Sequence, residues 1–194
     1  MKNNTNKLVT LGILSALGTV LMLIEIPYPL VPWLLLDVSD VVVLVVFALY
    51  GWKEAALVGI LKAFIHILVK FSGTPYAIGE ITAMIASMSY VLGMYLTTNK
   101  LNLNRLFSAI ITVLLITFVL TTLNYLVITP IYFGAWSFIE FREWIAPDYL
   151  DVAVGKNYLT FILVAYVPFN LIKGAIVMSV YFVIQRSLSL IKIK

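Results

Sequence analysis

The sequence predicts an all-α integral membrane protein, a bundle of about six transmembrane helices. Its 194 residues are 62% hydrophobic and only 11% charged, whereas soluble domains are roughly 45–50% apolar and 25% charged. The apolar residues fall into long runs that are broken by prolines, glycines and single charges. Because a helix needs about 20 residues to cross a bilayer, six spans use nearly the whole chain. We therefore expect a single membrane domain over residues 1–194.

The breaks between the runs place the six spans. Residues 26–32 hold three prolines, which remove backbone donors and prevent an ordinary helix, so they predict an apolar loop. Turns are predicted at 51–54 and 73–75, and Pro130 is expected to end the fifth span. A longer segment over 131–157, rich in aromatic and acidic residues, precedes the last span. The predicted spans are residues 8–24, 40–50, 55–69, 76–97, 106–129 and 158–184.

The lysines and arginines of the short connections predict the orientation, since they concentrate on the cytoplasmic side. If all six spans cross, the other side holds mainly Lys70, Arg142 and Lys156. Both termini should then be cytoplasmic, and the proline-rich loop and the long aromatic loop should lie on the outer face. The residues on the predicted cytoplasmic side are Lys2, Lys7, Lys53, Lys100, Arg105, Arg186, Lys192 and Lys194.

Several function classes are disfavoured by composition. The chain has no cysteine and one histidine, His66, which leaves no disulfide, thiol chemistry or His/Cys metal cluster. The scattered basic residues form no nucleic-acid face, and there is no phosphate-binding loop for ATP. A receptor or conduit fits best. The alternatives are a stand-alone facilitator or channel, and an enzyme acting on lipid, whose outer-face carboxylates lack a His, Cys or metal partner.

Polar residues within the apolar spans are the candidate functional residues, because they are costly in lipid and usually face the bundle interior. For Asp40, Lys62 and His66, structural ion pairing and ligand binding are equally plausible interpretations. Asn124, Asn170 and Lys173 lie in the outer halves of their spans and favour a binding site. Asp37 and Glu80 are further polar candidates within the apolar segments. Amide, ammonium and carboxylate groups beside Tyr28, Trp33, Tyr125 and Tyr132 suit a planar, polar heteroaromatic ligand.

Six motifs, in order, resemble the substrate-binding (S) components of energy-coupling factor (ECF) vitamin transporters, and most closely their riboflavin-specific branch. The resemblance covers nearly the whole chain. Its motifs are Pro27–Trp33, Leu36–Asp40, Lys62 with His66, Gly73–Pro75 leading to Glu80, Leu123–Tyr125 with Pro130 and Tyr132, and Pro168–Gly174.

This resemblance implies a vitamin-binding subunit in a bacterial cytoplasmic membrane. It would work with a transmembrane coupling subunit and two ATPase subunits, and would carry riboflavin as transported ligand with no cofactor of its own. Leu35, Val42 and Ala83 depart from residues common in the family, so another vitamin, of a pyridoxine or other heteroaromatic type, stays an alternative. The ligand residues implied or suggested are Tyr28, Trp33, Asp37, Glu80, Asn124, Tyr132, Asn170 and Lys173.

The first predicted helix offers a surface for a partner. Gly12 and Ala16 form a small-xxx-small pair, which lets a second helix approach closely in lipid. Ser15 and Gly18 are expected to extend it. The pattern resembles the family's motif for docking on the coupling subunit, and packing within the chain's own bundle is the alternative.

Overall fold

Six helices and one β-hairpin make up the part of the chain that the structure, a computed structural model, describes, namely residues 2–70, 77–133 and 158–191. The predicted helical membrane bundle is confirmed, with the β-hairpin as an addition to it. The turn at 73–75, most of the long aromatic loop, and Lys192 and Lys194 lie outside the described residues. The helices are α1 (Lys2–Met22), α2 (Asp40–Tyr50), α3 (Trp52–Val69), α4 (Ile78–Met94), α5 (Arg105–Leu123) and α6 (Tyr158–Ile191).

Four of the described helical stretches are long and apolar enough to cross a membrane: Asn4–Met22, Ile78–Lys100, Arg105–Tyr132 and Tyr158–Ser187. The other two helices, α2 and α3, are not among these four stretches. With 11 residues, α2 rises only about 16 Å, roughly half of a hydrocarbon core. Helix α3 has 18 residues but carries several ionisable side chains, and it buries Lys62 and His66 against its neighbours. Both helices therefore depend on packing against the neighbouring helices for their place in the membrane.

The proline-rich segment is a β-hairpin instead of an irregular loop. Strands β1 (Ile26–Tyr28) and β2 (Val31–Leu36) pair antiparallel, with Ile26 opposite Leu36 and a register shift after Pro27. Prolines are tolerated here because a two-stranded ribbon has only edge strands, on which one side of the backbone needs no partner. The hairpin delivers Trp33 and Asp37 to the same end of the bundle.

Helices α5 and α6 run further than the sequence suggests. Pro130 does not end the fifth helix: α5 widens into a π-helical segment, Asn124–Ile128, and continues as the turn Thr129–Tyr132. A proline fits in the first turn of a new helical segment, where its missing N–H is not needed. Helix α6 accommodates Pro168 and reaches Ile191, beyond the predicted end at 184. Helix α4 likewise continues as a π-helical segment, Tyr95–Lys100.

Close helix contacts hold the bundle together. Helix α5 packs between α4 and α6, and α3 packs between α1 and α4 and against α2. At the α4–α5 crossing, a Cβ added to Gly93 would lie 2.7 Å from a Thr112 methyl carbon, so only glycine permits this approach. Tyr90, Ile116 and Tyr181 are almost fully buried in the core around this crossing. Large apolar side chains such as Phe118 and Val183 instead project outward, as lipid-facing residues do.

Candidate functional site

A cavity of about 380 Å³ lies between the hairpin and the adjoining ends of α1, α3, α4, α5 and α6. Its volume is in the range of small-molecule sites. Seven of the eight predicted ligand residues line it, and we call it the ligand cavity. They are Trp33, Asp37, Glu80, Asn124, Tyr132, Asn170 and Lys173. These residues come from five separate elements of the chain, and their convergence was not imposed by closeness in sequence.

Tyr28 is the predicted ligand residue that does not line the cavity. Its ring packs edge-on against Phe169, with ring centroids 5.4 Å apart, and Phe169 in turn is a lining residue. Tyr28 thus packs on the side of Phe169 and contributes to the cavity wall only indirectly. Tyr125, another aromatic residue expected near the ligand, stacks on Tyr158 at 5.2 Å and is also outside the lining.

An ion pair between Asp37 and Lys173 forms one polar side of the ligand cavity. Lys173 Nζ donates to Asp37 Oδ2 at 2.6 Å, and the two side chains are only 13% and 10% exposed. The other Asp37 oxygen, Oδ1, accepts hydrogen bonds from the Ser39 backbone N–H and hydroxyl. The ammonium and the carboxylate therefore already satisfy each other, which the sequence did not indicate.

A second ion pair lies behind the first and away from the cavity. Lys62 Nζ donates to Asp40 Oδ1 and to Ser39 Oγ, each at 2.6 Å, and Ser87 Oγ donates to the same Asp40 oxygen. Lys62 is 0% and Asp40 1% exposed. Neither residue lines the cavity and each is satisfied by partners within the protein, which favours the interpretation of this pair as structural. Through Ser39 the two ion pairs form one continuous hydrogen-bonded chain.

His66 belongs to the ligand cavity although it was only one of several open candidates in the sequence. Its Nδ1 lies 3.3 Å from Glu80 Oε1 and its Nε2 lies 4.0 Å from Glu25 Oε1. Lys70 Nζ contacts the other Glu25 oxygen. All four side chains line the cavity. Glu25, between α1 and β1, and Lys70, directly after α3, were not among the candidates from the sequence, and only the folded chain reveals their position.

The two asparagines are held in place by hydrogen bonds from neighbouring helical turns. Asn124 Nδ2 donates to the Leu120 carbonyl at 2.7 Å, at the start of the π-helical segment. Asn170 Nδ2 donates to Thr121 Oγ1 at 3.3 Å, which joins α6 to α5. Each amide keeps further hydrogen-bonding capacity, since an amide side chain has two N–H donors and an oxygen acceptor. These are fixed polar groups on an otherwise apolar wall.

An aromatic wall faces these polar groups. Trp33 stacks on Tyr132 with centroids 6.3 Å apart and meets Phe133 edge-on at 5.2 Å. Its indole N–H donates to the Tyr166 hydroxyl at 3.2 Å, and that hydroxyl is hydrogen-bonded to Thr129. The rings are thus oriented by both packing and hydrogen bonds. Rigid rings opposite amides and charges suit a flat, polar aromatic molecule.

Helix α1 presents the predicted small residues on its outer surface. Gly12 and Ala16 are both exposed, and a Cβ added to Gly12 would meet nothing within 4 Å. Ser15 and Gly18 do not extend this face as expected: Ser15 is 1% exposed, and a Cβ on Gly18 would lie 3.5 Å from Lys62. The exposed small pair is therefore confined to Gly12 and Ala16.

The fold and this cavity define a class, a helical membrane protein with a cavity of small-molecule size lined by polar and aromatic side chains. The sequence profile of the family "ECF transporter, substrate-specific component" matches residues 6–185. The chain belongs to this family of S components. A solved structure of the S component of a bacterial ECF transporter shares the fold, with a TM-score of 0.77, 25% identity and coverage of 98% of this chain and 99% of that one.

Two named relatives are similar over nearly their full lengths. The riboflavin transporter RibU of Staphylococcus aureus is 30% identical over 186 residues, which cover 94% of this chain and 90% of the relative. The riboflavin transporter FmnP of Bacillus subtilis is 29% identical over 191 residues, which cover 97% of this chain and 92% of the relative.

Proposed function

We propose that this protein is the riboflavin-binding subunit of an ECF-type vitamin importer in a bacterial cytoplasmic membrane. The observation that carries the proposal is the convergence of seven sequence-predicted residues, from five elements, on one cavity of about 380 Å³. The names of the two relatives favour riboflavin over other vitamins. Ligand contact by the individual residues is part of the proposal.

The cavity chemistry matches the two parts of riboflavin. Its flat isoalloxazine ring would lie against the aromatic wall of Trp33 and Tyr132, since aromatic pairs stabilise each other in offset-stacked arrangements. The ring's alternating carbonyl and N–H groups would meet the amides of Asn124 and Asn170. The hydroxylated ribityl chain would reach charged acceptors and donors, of which Asp37, Glu80 and Lys173 are the candidates.

The cavity end of the bundle would face outside the cell. The hairpin, the last turn of α1 and the start of α4 all lie at this end, as lining residues show. The opposite end carries Lys7, Lys53, Lys100 and Arg105, and an excess of such residues marks the cytoplasmic side. All six helices would then cross or enter the bilayer, with both termini in the cytoplasm.

Energy for uptake would come from partner subunits. The sequence contains no phosphate-binding loop for ATP, and we propose that two ATPases act through a transmembrane coupling subunit. Gly12 and Ala16 are the proposed docking site, because exposed small residues allow two helix backbones to approach closely in lipid. The protein itself would bind and release the vitamin without catalysing a reaction.

Titration of the purified protein with riboflavin tests the ligand assignment. We expect riboflavin fluorescence to be quenched on binding, because stacking against Trp33 and Tyr132 favours quenching, and pyridoxine and thiamine in large excess not to compete. Competition by pyridoxine would instead assign the cavity to that class of vitamin. In vesicles, uptake should require the coupling subunit and both ATPases; riboflavin flux by the protein alone would contradict the importer proposal and favour a facilitator.

A further inference from the structure

A second cleft, of about 340 Å³, lies at the end of the bundle opposite the ligand cavity. It is formed where the α2–α3 turn meets the π-helical end of α4, the start of α5 and the C-terminal half of α6. Nothing in the proposed transport function uses it. We call it the basic cleft, and its lining includes Trp52, Tyr95, Thr98, Asn99, Arg105 and Gln185.

The basic cleft lacks compensating negative charge among the described residues. Four of the five described carboxylates belong to the ligand cavity or the Lys62 ion pair. The fifth, Glu54, is hydrogen-bonded to Lys7 at 2.5 Å. Arg105 is exposed and forms no ion pair with a described carboxylate, which leaves its guanidinium open to an outside anion.

Two lysines reinforce this positive charge at the cleft's aromatic edge. Lys53 Nζ lies 5.6 Å from the centre of the Trp52 ring, and Lys100 Nζ lies 5.9 Å from that of Tyr95. The two rings themselves contact each other at 5.7 Å. Tryptophan, tyrosine and basic residues together are typical of the level of lipid headgroups.

An apolar surface begins directly beside Arg105. Leu101, Leu106 and Phe107 are 61%, 64% and 57% exposed, and Ile110 and Leu114 continue the surface along α5. In a bilayer this surface faces acyl chains. A phosphate bound at Arg105 could therefore belong to a molecule whose chains lie along α5, an arrangement that a soluble anion would not use.

We propose that the basic cleft binds the phosphate headgroup of an anionic phospholipid, with Arg105 as the phosphate ligand. A planar guanidinium matches phosphate oxygens with two parallel N–H donors. Basic pockets between transmembrane helices are known to take anionic headgroups. Asn99, Thr98 and Gln185 offer hydrogen bonds to headgroup hydroxyls, and a zwitterionic choline headgroup would bring its own cation toward Lys53 and Lys100.

Native mass spectrometry of the full-length protein tests this site with two lipids of identical acyl chains, dioleoyl phosphatidylglycerol and dioleoyl phosphatidylcholine. The wild type should bind phosphatidylglycerol more tightly. Arg105→Gln should weaken that binding about fivefold, the factor for about 1 kcal/mol per basic residue at the membrane surface. It should weaken the poorer binding of phosphatidylcholine by less, because the choline cation offsets the charge of that phosphate. Arg105→Lys should lose less, since it keeps the charge but not the planar donor pair.

Arg186→Gln is the matched control, because Arg186 is an exposed arginine at the same end but outside the cleft lining. It should change phosphatidylglycerol binding less than about twofold, whereas an equal loss in both variants would overturn the proposal in favour of diffuse surface charge. Equal binding of the two lipids by the wild type, or displacement of phosphatidylglycerol by excess inorganic phosphate, would also overturn it. Thermal unfolding of each variant verifies that it is folded. None of these outcomes depends on the transported ligand.

Discussion

Substitutions in the Asp37–Lys173 ion pair can separate its contribution to stability from its contribution to ligand binding. Lys173→Met would leave the Asp37 carboxylate without its ammonium at a site only 10% exposed. Removing one member of a buried pair costs about 3–5 kcal/mol. We expect the lower end, about 3 kcal/mol, because Ser39 still donates two hydrogen bonds to Asp37. For a chain of this length that lowers the melting temperature by about 6–12 °C.

The double variant Asp37→Asn with Lys173→Met should recover most of that stability, because no uncompensated charge remains. It should not recover riboflavin binding if either group contacts the ligand, since a lost hydrogen bond to a buried ligand costs about 1–3 kcal/mol, or about ten- to hundredfold in affinity. Melting curves in detergent and fluorescence titration of the same samples measure the two effects. Wild-type affinity in the double variant would refute the ligand role; an unchanged melting temperature in Lys173→Met would refute the buried-pair argument.

Three further predictions concern α5, α3 and α1. Asn124→Ala should weaken riboflavin binding about ten- to hundredfold by titration, whereas Thr122→Ala, on the exposed face of the same helix, should not; equal effects would remove Asn124 from the site. Lys62→Met should lower the melting temperature more than Lys173→Met, because Lys62 is fully buried, and a smaller shift would contradict this ranking. Ala16→Trp should reduce coupling-subunit co-purification and ATP-driven uptake while riboflavin affinity stays normal, because the bulky ring holds the partner helix away; loss of binding, or intact uptake, would make α1 an internal packing element.

The polar residues of the ligand cavity could be predicted because burying them in apolar spans is expensive. Asn124, Asn170 and Lys173 are polar interruptions in long hydrophobic runs, and such groups turn toward the bundle interior. The sequence pattern thus indicates which side chains face away from the lipid. It does not reveal their partners, because the contact of Lys173 with Asp37 joins residues 136 positions apart. The same limit explains why Glu25 and Lys70 were not recognised as cavity residues.

Backbone irregularities account for most of the differences in the fold. Three prolines in residues 26–32 correctly predicted that no helix forms there, but strand pairing depends on Leu35 and Leu36 further along the chain. Pro130 was expected to stop α5, since a proline inside a regular α-helix removes a hydrogen bond. The π-helical segment before it changes the backbone hydrogen-bond pattern, so that Pro130 falls in the first turn of a new helical segment. No feature of residues 124–128 signals this change in advance.

Lys62 determines which substitutions can separate ligand binding from docking. Its ammonium joins the hydrogen-bonded chain through Ser39 to Asp37 at the cavity, while its backbone carbonyl accepts a hydrogen bond from Thr19 of α1. A Cβ at Gly18 would be in ordinary van der Waals contact with Lys62, 3.5 Å from its Cβ, so a side chain larger than alanine would have to displace Lys62. Enlarging Gly18 would therefore disturb the Asp40 pair and the cavity together with the surface of α1. Gly12 and Ala16 point away from this chain, so a change there acts on α1's outer face alone, and only such a change can distinguish loss of a partner from loss of the ligand site.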